Sequence, residues 1–257
     1  MAMDQQTNSS TKLSVASVPF VFAGGIMILW LSWQLLSMLN FTYPLWYRVL
    51  DIHSHIQTYA PQNNNKSGFE ETTIQERYRL YYATVTAVNN DGEGLAQIRY
   101  RSPTGEFIDT LYTDAEVLHL QDVSNLITKF DYLAYVCVFI VVLYTSRFIG
   151  WWGGRPIKPG WRNVHYGFLA TMVTLLLIVF IIGPQKVFYW MHEMVFPPDH
   201  PWFFYYQDSL MSTSMKAPDL FGALAVQWLM LTLMGYYLWI YGVSYVVKKR
   251  IRKSNGF

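Results

Sequence analysis

Two histidines, 73 positions apart, are the side chains in this sequence best suited to chemistry. His119 lies in Thr113-Asp-Ala-Glu-Val-Leu-His-Leu-Gln-Asp-Val123, just before one apolar run. His192 lies in Tyr189-Trp-Met-His-Glu-Met-Val-Phe-Pro-Pro198, just after the next. If the first run crosses a bilayer and the second returns, both imidazoles surface on the same face. An imidazole titrates near pH 6.5 and can take or give a proton near neutrality. Two of them at a membrane interface suggest acid/base chemistry on something lipid-like. On a helix through this window, His119, Asp122 and Leu126 share a stripe, so Asp122 can hydrogen-bond the imidazole or tune its proton affinity. Read alone, His119 is more often an interfacial histidine facing water beside a surface carboxylate.

The elements that must position this pair are membrane spans. Charged residues make up only 14% of the 257, well under the roughly 25% of a soluble domain. Mean hydropathy is a modest +0.15, which a polar segment diluting several apolar ones explains. Four runs approach the roughly 20 residues a span requires: 18–39, 130–149, 164–183 and 220–247. The first lacks the charged n-region and small-residue cleavage site of a signal peptide and reads as a retained span. Cys137, the single cysteine, lies inside the second span and permits no internal disulfide.

Orientation follows from basic residues. Arg147, Arg155, Lys158 and Arg162 surround the loop at 150–163, and Lys248, Lys249, Arg250, Arg252 and Lys253 fill the tail at 248–257, with no acid in either stretch. Residues 41–131 hold seven basic and twelve acidic side chains, net −5. Residues 184–219 hold two and four, net −2. Both termini and the middle loop therefore read as cytoplasmic, and 40–129 and 184–219 as extracytoplasmic. The tail cations suit anionic lipid headgroups and not nucleic acid.

The expected fold is an all-α membrane protein of four transmembrane helices, with a small α+β extracytoplasmic segment between the first two and an aromatic outer loop between the last two. Residues 1–17 are polar and read as a disordered N-terminus. Thr72 or Thr73 as cap, with Glu76 as the return partner of Thr73, predicts a helix start, running to about Val88 and stopping at Asn89-Asn-Asp-Gly92; a strand over 81–88 competes with it. Residues 96–101 and 106–112 predict two strands around Ser102-Pro-Thr-Gly105. Thr113-Asp-Ala-Glu116 is a capping box opening a helix that continues into the second span. The outer loop contains Phe196-Pro-Pro-Asp-His-Pro-Trp-Phe-Phe-Tyr-Tyr206, stiff and aromatic, and reads either as an interfacial belt or as the lipid-facing wall of a site bordered by His192.

The other histidines are weaker candidates. His165 lies near the cytoplasmic end of the third span, and His200 between prolines reads as structural. His53 and His55 resemble a fragment of a metal site but more often mark plain surface. No serine nucleophile elbow, His-Glu-x-x-His or phosphate-binding glycine loop occurs.

His119-Leu-Gln-Asp-Val123 before the second span, and His192 with Phe196, Pro197, Trp202, Phe203, Asp208 and Leu210 after the third, resemble the bacterial lipoprotein intramolecular transacylase (Lit) family. Pro218-Asp219 stands where family members often carry Pro-Glu, and the first outer segment looks elaborated. The resemblance implies an acyltransferase of the cell envelope, in the cytoplasmic membrane with its site facing outward. It would move an ester-linked acyl chain from the glycerol of a diacylglyceryl-modified lipoprotein to the α-amine of its N-terminal cysteine, giving a lyso-form lipoprotein. It also implies His119 and His192 as catalytic residues, with Asp122, Glu193 and Asp208 supporting them and Phe196, Trp202 and Phe203 facing lipid. The substrate carries its own nucleophile, so no enzyme nucleophile, cofactor or metal is implied. Two other readings stay open: a metal-dependent membrane hydrolase using His53, His55, His119 and His192, and a non-enzymatic membrane interaction or assembly protein.

Overall fold

The computed structural model describes residues 17–150 and 161–255. Most of the N-terminal stretch and of the basic middle loop expected from the sequence lies outside these. Among the described residues the helices are α1 (Val18–Met38), α2 (Tyr43–Val49), α3 (Ile52–Tyr59), α4 (Ile74–Val88), α5 (Asp114–Phe148), α6 (Trp161–Ile182), α7 (Pro184–Val195), α8 (Leu210–Met215) and α9 (Asp219–Ser254). Strands β1 (Arg99–Arg101) and β2 (Phe107–Thr110) form one antiparallel pair.

Helices α1, α5, α6 and α9 are each long and apolar enough to cross a bilayer. Their exposed side chains say the same. Phe180 and Ile181 on α6 are 79% and 80% exposed. Leaving such surface in water costs about 25 cal/mol per Å². The protein is multi-pass, and these faces belong against lipid.

The chain divides into two compact units. The first takes Met1–Ser32, Asp131–Phe188 and Met230–Phe257. Its core repeats at helical spacing: Phe20, Val21, Ala23, Met27 and Ile28 of α1 meet Cys137, Val141 and Phe148 of α5 and Tyr236, Ile240 and Val247 of α9. Small residues let the helices approach, as membrane helix contacts require. A Cβ on Gly24 would fall 2.0 Å from the Trp239 ring, which is itself packed on Phe20 at 5.0 Å and Tyr236 at 5.6 Å. Gly24→Ala is therefore expected to destabilise the protein by about 1–3 kcal/mol, the usual cost of overpacking. Thermal unfolding in detergent against the wild type measures this, and an unchanged midpoint would show that Trp239 yields freely.

The second unit takes Trp33–Phe130 and Tyr189–Leu229. Its centre is aromatic: Tyr43 of α2 stacks on Tyr81 of α4 at 3.9 Å, and Phe69, Tyr100, Leu111 and Tyr112 are buried in the same unit. Arg77 is buried there and donates to Thr72 Oγ1, Tyr47 OH, His53 Nδ1 and the carbonyl of Glu70. Residues 81–88 are helical. Thr73 caps α4 by accepting from Glu76 N at 3.1 Å, but Glu76 turns to Arg79 and Arg101 N instead of back to Thr73. The first strand is shorter than expected, because Leu95–Gln97 forms a 3-10 turn after Gly94.

Two features position the site. Helix α5 runs 35 residues without a break from its cap into the apolar stretch. At its start Thr113 N and Oγ1 both donate to Glu116 Oε2, at 2.6 and 2.8 Å. Gly183, at φ +100°, ends α6, and Pro184 opens α7, a conformation and a residue that suit those places. The aromatic loop at 184–219 thus carries two helices, α7 and α8. Residues 185–196 contain no Gly or Pro, and His192 and Phe196 recur at i, i+4 on one face, so the segment can fold as a helix until Pro197-Pro198 stops it.

Candidate active site

His119 on α5 and His192 on α7 come together within the second unit. Their ring centroids are 6.3 Å apart at an interplanar angle of 30°. Each residue is only 8% exposed. Phe196, one turn beyond His192, packs against both, 5.0 Å from His119 and 5.2 Å from His192. Trp202 covers His192 at 4.9 Å, and Phe204 stands 6.1 Å from His119. The two imidazoles are therefore enclosed by aromatic faces, which exclude water and lower the local dielectric.

That enclosure sets the chemistry of His119. The residue lies eleven positions before Phe130, where the apolar stretch of α5 begins. Burial first, and then the nearby His192, push its pKa down to about 4 against the opposing charge of the Asp122 carboxylate. At neutral pH His119 is an uncharged imidazole. Its Nδ1 is buried and has no hydrogen-bond partner among the described residues. A buried polar nitrogen without a partner costs about 1–3 kcal/mol. At a site, such an atom is where a substrate group would supply the missing bond.

The supporting residues fall in different places. Asp122 Oδ2 pairs with His200 Nδ1 at 2.6 Å, so its direct partner is His200, while its charge still acts on His119. The Glu193 side chain is exposed and makes no hydrogen bond or ion pair among the described residues. Asp208 Oδ1 accepts from Asn64 Nδ2 at 2.8 Å, and its carbonyl accepts from Asn65 Nδ2 at 2.9 Å. Asp208 thus fastens the asparagine run to the outer loop and hydrogen-bonds neither histidine. Phe203 is 51% exposed and contacts Tyr189, Trp202 and Tyr205. The adjacent Phe204 is the one that meets His119.

His53 and His55 point to opposite faces of α3: His53 is exposed, with Nδ1 accepting from Arg77, while His55 is buried against Tyr59 and Tyr206. Among the described residues no three His, Cys, Asp or Glu side chains form a group that could hold a metal ion.

Sequence reasoning missed the pairing of His200 with Asp122 and the second role of Glu116. Glu116 is fully buried, and its Oε1 accepts from Ser209 Oγ at 2.6 Å and Met211 N at 3.0 Å. The capping box signalled its Oε2 contacts; nothing local signalled the others.

The family model of the lipoprotein intramolecular transacylase Lit matches residues 18–213. No curated protein sequence matches the chain. Solved structures of the membrane-integral lipoprotein intramolecular transacylase Lit from Bacillus cereus share its fold. A histidine-to-arginine variant of that enzyme is 18% identical with a TM-score of 0.62, covering 98% of each chain. A histidine-to-alanine variant is 18% identical with a TM-score of 0.61, covering 97% of this chain and 99% of the other.

Proposed function

The chain belongs to the lipoprotein intramolecular transacylase (Lit) family and is an enzyme of that class, and on that premise we propose that His119 and His192 carry the proton transfers of its acyl shift. The substrate is a diacylglyceryl lipoprotein with a free α-amine on its N-terminal cysteine. The amine nitrogen attacks the carbonyl of a glycerol ester. A C–N bond forms, the C–O bond to glycerol breaks, and the amine proton ends on the glycerol oxygen. The product is a lyso-form lipoprotein of unchanged mass.

The observation that carries this reading is the enclosed His119–His192 pair, with Nδ1 of His119 bare. An α-amine has a reference pKa of about 8. A neutral imidazole held near pKa 4 is too weak a base to strip an ammonium at rest. The amine therefore attacks in its neutral form, its first proton lost to water, and His119 takes a second proton as the C–N bond forms and the nitrogen becomes acidic, which is general-base catalysis timed to the transition state. His119 is accordingly the proton acceptor. His192, across the same space, stabilises the oxyanion or delivers a proton to the departing glycerol oxygen. Phe196 and Trp202 supply apolar surface for the acyl chain.

The charge bias of the loops supports placement in the cytoplasmic membrane with the site facing outward, where lipoproteins carry their lipidated cysteine. Mass spectrometry of an N-terminal lipopeptide tests the activity, using cells that make only the diacylglyceryl form, with and without this protein. The expected product has the precursor's mass, with one acyl group relocated to the amine in fragment spectra. Unchanged lipopeptide beside well-expressed protein would refute the assignment for that substrate.

A further inference from the structure

Helix α5 carries two carboxylates placed symmetrically about His119: Glu116 three residues before it and Asp122 three residues after. Both reach the same outer segment. Asp122 holds His200 at 2.6 Å, and Glu116 holds Ser209 Oγ at 2.6 Å and Met211 N at 3.0 Å. Between these attachments lie Trp202, against His192, and Phe204, against His119. We propose that Glu116 and the Asp122–His200 pair are positioning residues for the acyl shift, tying both ends of the 200–211 segment to the helix that bears His119 and so fixing the aromatic wall over the two imidazoles. The inference rests on the two-histidine reading above.

The chemistry of Glu116 separates this role from simple packing. Its four contacts, from Thr113 N, Thr113 Oγ1, Ser209 Oγ and Met211 N, all come from donors. An ionised carboxylate, which only accepts, suits them. Each carboxylate oxygen faces one backbone N–H: Thr113 N at Oε2, Met211 N at Oε1. A glutamine of the same shape must turn its NH₂ toward one of these, and a hydroxyl can rotate to accept but a backbone N–H cannot. Glu116→Gln therefore breaks one backbone contact, either to Thr113 N of the helix cap or to Met211 N of the outer segment, without emptying space. The other end offers a milder test, since Asp122 and His200 keep partial exposure.

A merely structural glutamate would lower stability alone. A positioning residue lowers the chemical step, because misplacement of a site wall by about 1 Å can cost on the order of a hundredfold. The experiment uses the full-length protein in detergent with a synthetic diacylglyceryl lipopeptide. It measures kcat and KM together with thermal midpoints for Glu116→Gln, Asp122→Asn and His200→Gln. Thr84→Val, which removes a buried hydrogen bond to Tyr112 elsewhere in the same unit, is the stability control. The expected result is a kcat reduced at least tenfold in the three variants, KM within about threefold, and Thr84→Val unchanged in kcat at a comparable midpoint. Should Glu116→Gln fail to accumulate, Asp122→Asn and His200→Gln decide. If those variants keep kcat within twofold while His119→Ala and His192→Ala abolish it, the positioning role is overturned and the histidine pair stands. If the histidine variants stay active, the underlying reading is what fails.

Discussion

His119→Ala and His192→Ala should each lower kcat for the acyl shift by about 10²–10⁴, the range for losing a positioned acid or base. The double variant should fall little below the worse single one. Residues that act as a unit are strongly non-additive: once the proton has nowhere to go, removing the second imidazole loses little more. The two rings satisfy the structural condition for such coupling, standing 6.3 Å apart within one aromatic enclosure and sharing Phe196. KM should change much less, because Phe196, Trp202 and Phe204 remain to contact the acyl chain. The measurement is steady-state kinetics on a lipopeptide substrate for four proteins of confirmed expression. Losses that multiply would mean that the histidines act in separate steps. A single variant losing less than tenfold would remove that histidine from the proton path.

The pairing of His119 with His192 could be anticipated because it follows from two long-range rules, hydropathy and the return of a chain that has crossed a bilayer. Local rules also carried far: the Thr113–Glu116 cap and the helix after Thr73 are short-range hydrogen-bond patterns. What stayed hidden depends on partners distant in sequence. The i, i+3 spacing offered Asp122 to His119, but His200, 78 residues away, takes the carboxylate at 2.6 Å. Glu116 finds Ser209 and Met211, 93 and 95 residues downstream, and no spacing rule reaches that far. Phe203 and Phe204 illustrate parity: in an extended segment adjacent side chains point opposite ways, and composition does not say which faces in. Helices α2 and α3 escaped notice because each is short. They are joined through Asp51 at φ +48°, a left-handed conformation uncommon outside glycine.

The second large effect concerns acid. In the unfolded chain His119 should titrate near 6.5, and in the folded protein burial holds it down to about 4. Between those values the unfolded chain binds a proton that the folded one refuses, so stability must fall as pH falls. The contribution is fully present above about pH 6.5, is lost across the window from 6.5 to 4, and changes no further below it. Its full size is roughly 3 kcal/mol, at about 1.4 kcal/mol per pH unit. The charges that set the value are His192, which lowers it, and Asp122, which raises it. Burial also lowers the pKa of His55, which makes the protein acid-sensitive in the same direction, so the contribution of His119 is isolated by difference. Thermal unfolding of wild type and His119→Leu should be compared at pH 7.5 and 4.5. The wild type should lose more stability between the two conditions, because leucine has no proton to bind in either state. Asp122→Asn should deepen the wild-type loss by removing the charge that favours protonation. Equal acid sensitivity in wild type and His119→Leu would show that His119 protonates in the folded enzyme as easily as in the unfolded chain. The aromatic enclosure would then be open to water, and His119 could no longer be the neutral acceptor that the acyl shift requires.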